Sequence, residues 1–353
     1  MNLNSLPGKR TYLAGKKMLR WLLPFLLLSG VGAAVCAPAD GGRENGLTVL
    51  FWNLENFFDW KDGGGGEADR EFSAAGPRHW TRKRFRAKAQ GVAKTLFWTG
   101  DILGDLPDIV AVAEVENETV LRRLLEDTPL RRTDYAYVHF DSPDRRGIDV
   151  ALLYRTSVLR LAGSRPAAVR AVRAGDTLRT RDILLAQFED AAGSRWSLLV
   201  CHFPSQYGGG DSDWRREAAV ARLQALGDSL RACGEDRIIA AGDFNDTPEK
   251  PVFRPLTAPS PEALFVNLAG PLARRGSGSI RFEGRWELID MFFVRPSLAP
   301  DAVMDILHPP FLTVHDNVHS GDKPLRTWQG PLWIGGVSDH RPVLLRIRGG
   351  KQE

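Results

Sequence analysis

From Leu47 onward, short apolar runs alternate with longer stretches in which apolar residues recur at helical spacing. The runs Leu47–Trp52, Asp108–Ala113, Ala136–Phe140, Val150–Tyr154, Ile183–Phe188, Trp196–Cys201, Ile238–Ala241, Ile289–Val294 and Val343–Ile347 read as buried strands. Between them, Thr81 is placed to cap a helix running to about Trp98, and Asn117 a helix carrying Leu121, Leu124 and Leu125. A third helix is predicted over Trp214–Ala232. Gly, Pro and polar stretches are scattered, with no internal repeat and no linker, so residues 40–353 read as one α/β domain.

The first 39 residues follow another pattern. Lys16, Lys17 and Arg20 precede the apolar run Trp21–Leu28, small residues follow, and Ala37-Pro38-Ala39 makes a cleavage site before Asp40. That is the order of a secretory signal peptide, which predicts a periplasmic or extracellular protein. The run is too short to span a bilayer comfortably, so no stable membrane insertion is expected. Val35 before Cys36 is bulkier than the small residue a lipidation site carries, which argues against an acyl anchor.

Of the 353 residues, 43% are hydrophobic and 25% charged, which excludes a disordered, collagen-like or multi-span chain. The net charge of +4 comes from the leader, which holds five basic residues and no acid. Without it, 42 basic residues face 43 acidic ones, so bulk charge does not point to a nucleic-acid scaffold. Cys201 and Cys233 lie beside apolar runs and read as buried free thiols. A parallel crossover between them would set them at opposite ends of a sheet, beyond bridging distance.

Several polar residues end the apolar runs, where α/β sheets gather their ligand sites. Asp243 and Asn245 follow Ile238–Ala241, and an extended chain would point both to one face. Gly242 lets a neighbouring backbone approach. A carboxylate beside an amide can hold a water and donate to a phosphoryl oxygen; the plainer alternative is a turn leaving a strand. Glu114 ends Val110–Ala113 and needs a partner or a cation. Glu116 reads as a helix-entry charge beside Asn117. His202 ends Leu198–Cys201, and Asn53 ends the first run. Asp290 sits inside an apolar strand, where a protonated His would satisfy it, and Asp339-His340 precedes the last strand. Arg78, Arg82, Lys83, Arg84, Arg86 and Lys88 form a basic run, read as a solvated helix face or as a phosphate-backbone contact through Arg82 and Arg84. His315 and His319 fall in a loop rather than on a metal-binding helix, and Asp149 has no assigned role.

Taken together, Asn53, Glu114, His202, Gly242-Asp243-Phe244-Asn245, Asp290 and Ser338-Asp339-His340 resemble, in order, the endonuclease/exonuclease/phosphatase superfamily over residues 47–348. Phe51–Asn56 and Arg146–Tyr154 look most like its secreted bacterial nuclease-like branch. The resemblance implies a four-layered α/β sandwich of two packed mixed sheets flanked by helices. It implies a Mg²⁺ site at Asn53, Glu114 and Asp339, with Mn²⁺ as a substitute. Asp243 would orient or deprotonate the attacking water, and Asn245 would stabilise the pentacovalent charge. His340, paired with Asp290, would act in proton transfer, and His202 would donate to a phosphoryl oxygen. Such a site performs phosphoryl transfer by positioning and charge neutralisation. The expected protein is a monomeric exported nuclease with nucleic acid as substrate. One alternative is a phosphatase or sphingomyelinase-like phosphodiesterase on lipids or small organophosphates. Another is a catalytically dead binding module, which the retained acids and histidines argue against.

Overall fold

Twelve principal strands build two six-stranded mixed sheets in a computed structural model that describes residues 46–64, 66–206, 213–257 and 263–349. The predicted signal peptide and Cys36 lie outside the described residues. In chain order the strands are β1 (Leu47–Phe57), β2 (Ile109–Val115), β3 (Tyr135–His139), β4 (Asp149–Arg155), β5 (Leu159–Ala167), β6 (Ile183–Asp190), β7 (Arg195–His202), β8 (Ile238–Asp243), β9 (Val266–Asn267), β10 (Asp290–Val294), β11 (Ala302–Ile306) and β12 (Val343–Ile347). The first sheet has the order β11-β12-β1-β2-β4-β3 and the second β9-β10-β8-β7-β6-β5. The helices are α1 (Arg82–Leu103), α2 (Glu118–Glu126) and α3 (Asp213–Ala232).

Alternation along β1 shows how the layers form. Val49 and Phe51 belong to a core shared with strands of the second sheet, whereas Leu50 and Trp52 pack with Phe85, Ala89 and Val92 of α1. The period of two in a strand produces this division. α3 buries Ala219, Val220, Leu223 and Leu226 against the second sheet. Helix, sheet, sheet and helix therefore stack as four layers. The caps fall where the sequence places them: Thr81 Oγ1 accepts from Arg84 N–H, and Asn117 Oδ1 accepts from Val120 N–H at 3.1 Å.

All nine predicted strands form, with ends moved by a few residues. The three unpredicted principal strands, β5, β9 and β11, are all sheet edges. Edge strands are short or half-solvated, so their pattern is polar; β5 also carries Pro166, which an edge tolerates. Cys201 is buried and free as expected, but Cys233 is exposed, just beyond the end of α3.

Candidate active site

Asn53 continues the β1 face of Val49 and Phe51, so its side chain enters the space between the sheets. There its Nδ2 donates to Asp243 Oδ2 at 3.0 Å. In the second sheet, Asp243 is in register with His202 on one side and with Asp290 on the other. The sheets thus bring four candidate residues together at one end. Gly242 permits this, because a Cβ there would lie 2.3 Å from the Cys201 carbonyl oxygen of the neighbouring strand.

The remaining residues arrive on bent backbone. Glu114 (φ 62°) sits where the β2 register shifts, and Glu55 (φ 43°) and Asn56 (φ 54°) sit in the matching irregularity of β1. Bulges of this kind re-aim side chains beside active sites. Asn245 also has positive φ, 51°, and its N–H donates to Asp243 Oδ1 at 2.9 Å. The expected extended Asp-x-Asn arrangement is therefore wrong: the chain turns after Asp243 and folds Asn245 back toward it. Each such conformation costs about 1–3 kcal/mol and persists only where surrounding structure holds it.

His340 closes the site. Its Nδ1 lies 2.7 Å from Asp290 Oδ2, and its Nε2 faces Asp243 Oδ2 at 3.9 Å and Asp339 Oδ1 at 4.0 Å. Ser338 fixes this segment by donating from Oγ to the Asn53 carbonyl and accepting from His340 N–H. Burial opposes the imidazolium, but the charge and hydrogen bond of Asp290, aided by Asp243 and Asp339, outweigh it and hold the His340 pKa well above its ordinary value. Burial, reinforced by the Asp290 charge, pushes Asp243 up to about 7. His202 goes the other way: burial and the nearby Arg181 charge hold it well below the ordinary range, so it is neutral at pH 7. Its Nε2 faces Asp243 Oδ2 at 3.7 Å and Glu114 Oε1 at 3.8 Å.

Four residues given no role at the site by the sequence belong here: Arg146, Lys88, Glu55 and Arg326. Arg146 donates to Glu114 Oε1 at 2.9 Å, and Asn56 N–H donates to Oε2 at 2.8 Å. Burial would raise the Glu114 pKa, but the charge of Arg146 and these hydrogen bonds hold it far below the carboxylate range. Lys88 is 1% exposed, not part of a solvated face; its Nζ donates to the Glu55 carbonyl at 2.6 Å and to Thr327 Oγ1 at 2.8 Å. Burial lowers it to about 8 and raises Glu55, beside Asp339, to about 7. Arg326 joins Glu55 to Asp339, with contacts of 3.2 and 2.9 Å. Only the Asn-x-Glu spacing near the end of β1 could have flagged Glu55.

Arg82 and Arg84 stand apart. Their guanidinium groups lie over Trp60 and Trp333, 5.6 and 5.1 Å from the ring centroids, and Arg84 also donates to the Arg78 and His79 carbonyls. Glu116, at the entry to α2 beside the Asn117 cap, is buried and accepts from Asp59 N–H at 2.7 Å. Asp149 accepts from Ser142 N–H at 3.0 Å and lies 3.4 Å from His139 Nε2.

Among the described residues, Asp243, Asp290 and His340 offer ligand atoms within 4.8 Å of one another, and Asp290 Oδ1 is buried with no hydrogen-bond partner, so a candidate metal-binding cluster is present, made of other residues than the expected Asn53, Glu114 and Asp339. It is open to a cation only when His340 is unprotonated, since an imidazolium has no lone pair to offer. A profile of the endonuclease/exonuclease/phosphatase family matches residues 48–349. The chain belongs to that family. No curated protein matches it. Among solved structures, a family protein from Bacteroides thetaiotaomicron is 17% identical, with a TM-score of 0.54 over 86% of this chain and 97% of that one. A humanized D. rerio TDP2 is 14% identical, TM-score 0.53, over 86% and 99%. The mannosyl-6-phosphatase Bt3783 of B. thetaiotaomicron is 17% identical, TM-score 0.53, over 85% and 98%. These likenesses show the shared sandwich. Family membership makes the protein a hydrolase of the phosphodiesterase or phosphatase type.

Proposed function

We propose that this protein is an exported, Mg²⁺-dependent phosphodiesterase, with Mn²⁺ as a substitute, and that nucleic acid is its first candidate substrate. The observation that carries the reading is Asp243 held between Asn53 and a His340 that is itself locked to Asp290. Asn53, Glu114 and Asp339 would hold the cation, which supplies charge neutralisation at the phosphoryl oxygens. Asp243, poised near neutrality by its burial, orients the attacking water and accepts its proton. His340 carries the proton needed by the departing oxygen, and Asp290 fixes its orientation. Asn245 spends one N–H on the Phe203 carbonyl at 2.8 Å and keeps the other for a phosphoryl oxygen. His202, neutral, has one N–H to donate, and Arg146 adds a positive charge.

A second reading, hydrolysis of a small organophosphate, is favoured by one observation: a confined cavity beside Asp339. The mannosyl-6-phosphatase among the structural neighbours is in keeping with it. The discriminating experiment is a substrate panel with and without EDTA: plasmid DNA, RNA, a bis-aryl phosphate, a mono-aryl phosphate and sphingomyelin. EDTA-sensitive cleavage of the nucleic acids and the bis-aryl diester is expected. Hydrolysis confined to the mono-aryl ester would replace the diesterase reading with a phosphatase.

A further inference from the structure

Lys88 is a fully buried side chain with no part in the proton transfers at Asp243 and His340. Its neighbours on α1, Phe85 and Ala89, pack in the core beneath the first sheet. A charge in such a place is costly, whereas a methionine would fill the same space without that cost. Among the described residues its hydrogen bonds go to a backbone carbonyl and a hydroxyl rather than to a carboxylate, so it is not half of a buried ion pair. It is no nucleophile either. Its Nζ lies 5.4 and 5.9 Å from the ring centroids of Phe57 and Trp80, both fully buried, and no substrate atom can reach it.

What Nζ does reach is the place where two segments of the site meet. It donates to the Glu55 carbonyl at 2.6 Å and to Thr327 Oγ1 at 2.8 Å. Glu55 lies where the register of β1 breaks between Asn53 and Phe57, and the Asn56 N–H beside it donates to Glu114. Thr327 carries the link onward. Its Oγ1 donates to the Val337 carbonyl at 2.9 Å, and its N–H donates to Glu55 Oε2 at 2.5 Å. Next to Val337, Ser338 Oγ donates to the Asn53 carbonyl at 2.6 Å. These bonds close a ring through Asn53, Glu55, Lys88, Thr327, Val337 and Ser338. One arc carries Asn53 and runs on to Asn56; the other leads directly into Asp339 and His340. Each bond in such a ring fixes the partners of the next, so the whole holds more firmly than its links would separately. Lys88 is the member mounted on a long helix, and helices position side chains more precisely than loops.

We propose that Lys88 is a positioning residue: its buried ammonium sets the spacing between the β1 bulge and the Ser338–His340 segment, and so keeps the two halves of the site in the geometry that phosphoryl transfer needs. The proposal rests on the phosphoester hydrolase reading and adds a residue to that site. Lys88 does not itself meet the phosphate. It acts through the Glu55 carbonyl and Thr327, which set where Asn53, Asn56 and His340 stand. A misplacement of about 1 Å that begins away from the chemistry costs on the order of 10² in rate. The loss falls on kcat when the contacts that bind the ground state stay intact.

The test uses the full chain with Mg²⁺ and a bis-aryl phosphate, together with amide hydrogen exchange of the unliganded protein. Lys88→Met fills the same space without the donors. It is expected to lower kcat at least ~10²-fold while KM stays within about 3-fold, and to speed exchange at residues 53–57 and 336–341 together. Thr327→Val removes the hydroxyl that links Lys88 to Val337 and should lower kcat at least ~10-fold, whereas Thr327→Ser, which keeps it, should stay within ~3-fold of wild type. The double variant of Lys88→Met and Thr327→Val should lose little more than Lys88→Met alone, since both cut one ring. An unchanged kcat in Lys88→Met, a loss confined to KM, additive losses, or faster exchange in only one of the two segments would overturn the proposal and leave the hydrolase reading standing. Should Lys88→Met not fold, the Thr327 variants decide, and equal kcat in Thr327→Val and Thr327→Ser overturns the proposal. A wild-type chain that cleaves no ester would overturn the hydrolase reading instead. The joint change in exchange would then still assign Lys88 its coupling of the two segments, and the lack of that change would remove it.

Discussion

Asp290 is fully buried within an apolar strand, and the His340 ring is the partner that makes its charge tolerable there. If the pair acts as one unit, His340→Ala should lower phosphodiester hydrolysis by at least ~10², and Asp290→Asn nearly as much. The double variant should then lose little more than either single one, because the two losses describe the same function; full additivity would dissolve the pair. Glu114 offers an independent check. Mg²⁺ should raise the Tm of the wild-type protein by binding linkage, and Glu114→Gln should lose most of that gain while keeping its unliganded Tm. An undiminished metal-dependent shift in the variant would remove Glu114 from the cation site. These acids could be read in the sequence because an acid ending an apolar run is conspicuous. Lys88 could not, since it sits in a basic run indistinguishable from a solvated helix face. Only the tertiary contact with Glu55 and Thr327 reveals it.

At the scale of elements, the loop 141–148 is held at both flanks. Asp144 pairs with Arg181 at 2.9 Å, both nearly buried, and Arg181 also donates to the Phe203 carbonyl, the same oxygen that receives Asn245. Asp149 binds Ser142 at the loop's other side. This brace presents Arg146 to Glu114, and it gives Asp149, unassigned from the sequence, a place. Asp144→Asn is expected to lower kcat/KM at least ~10-fold, and its coupling with Arg146→Ala to fall within roughly 0.5–3 kcal/mol. A coupling near zero would show that the brace and Arg146 act separately. Interior strands were legible because both faces are apolar, whereas of the four edges only β3 was, the pattern of the other three being set by solvent on one side. Arg146 was hidden for a related reason: a loop residue declares no partner in its spacing.

Across the whole molecule, two cores sit on either side of the first sheet, one between the sheets and one beneath α1 and α2. This arrangement leaves Cys201 sealed and Cys233 open. A chain beginning at Asp40 should therefore react with a thiol reagent at Cys233 alone until it is unfolded, and modification at two thiols in the native state would contradict the described packing. β12 has a consequence of a different kind. It lies between β11 and β1, pairing Ile347 with Leu47, so the sheet cannot be completed without residues 343–347. His340 lies just before β12. Without residues 336–347 the first sheet lacks β12 and the candidate site lacks His340. A chain ending at residue 335 should therefore be unfolded and inactive. A synthetic peptide spanning residues 336–349, added in trans, should restore both structure and turnover if β12 is the piece that closes the sheet.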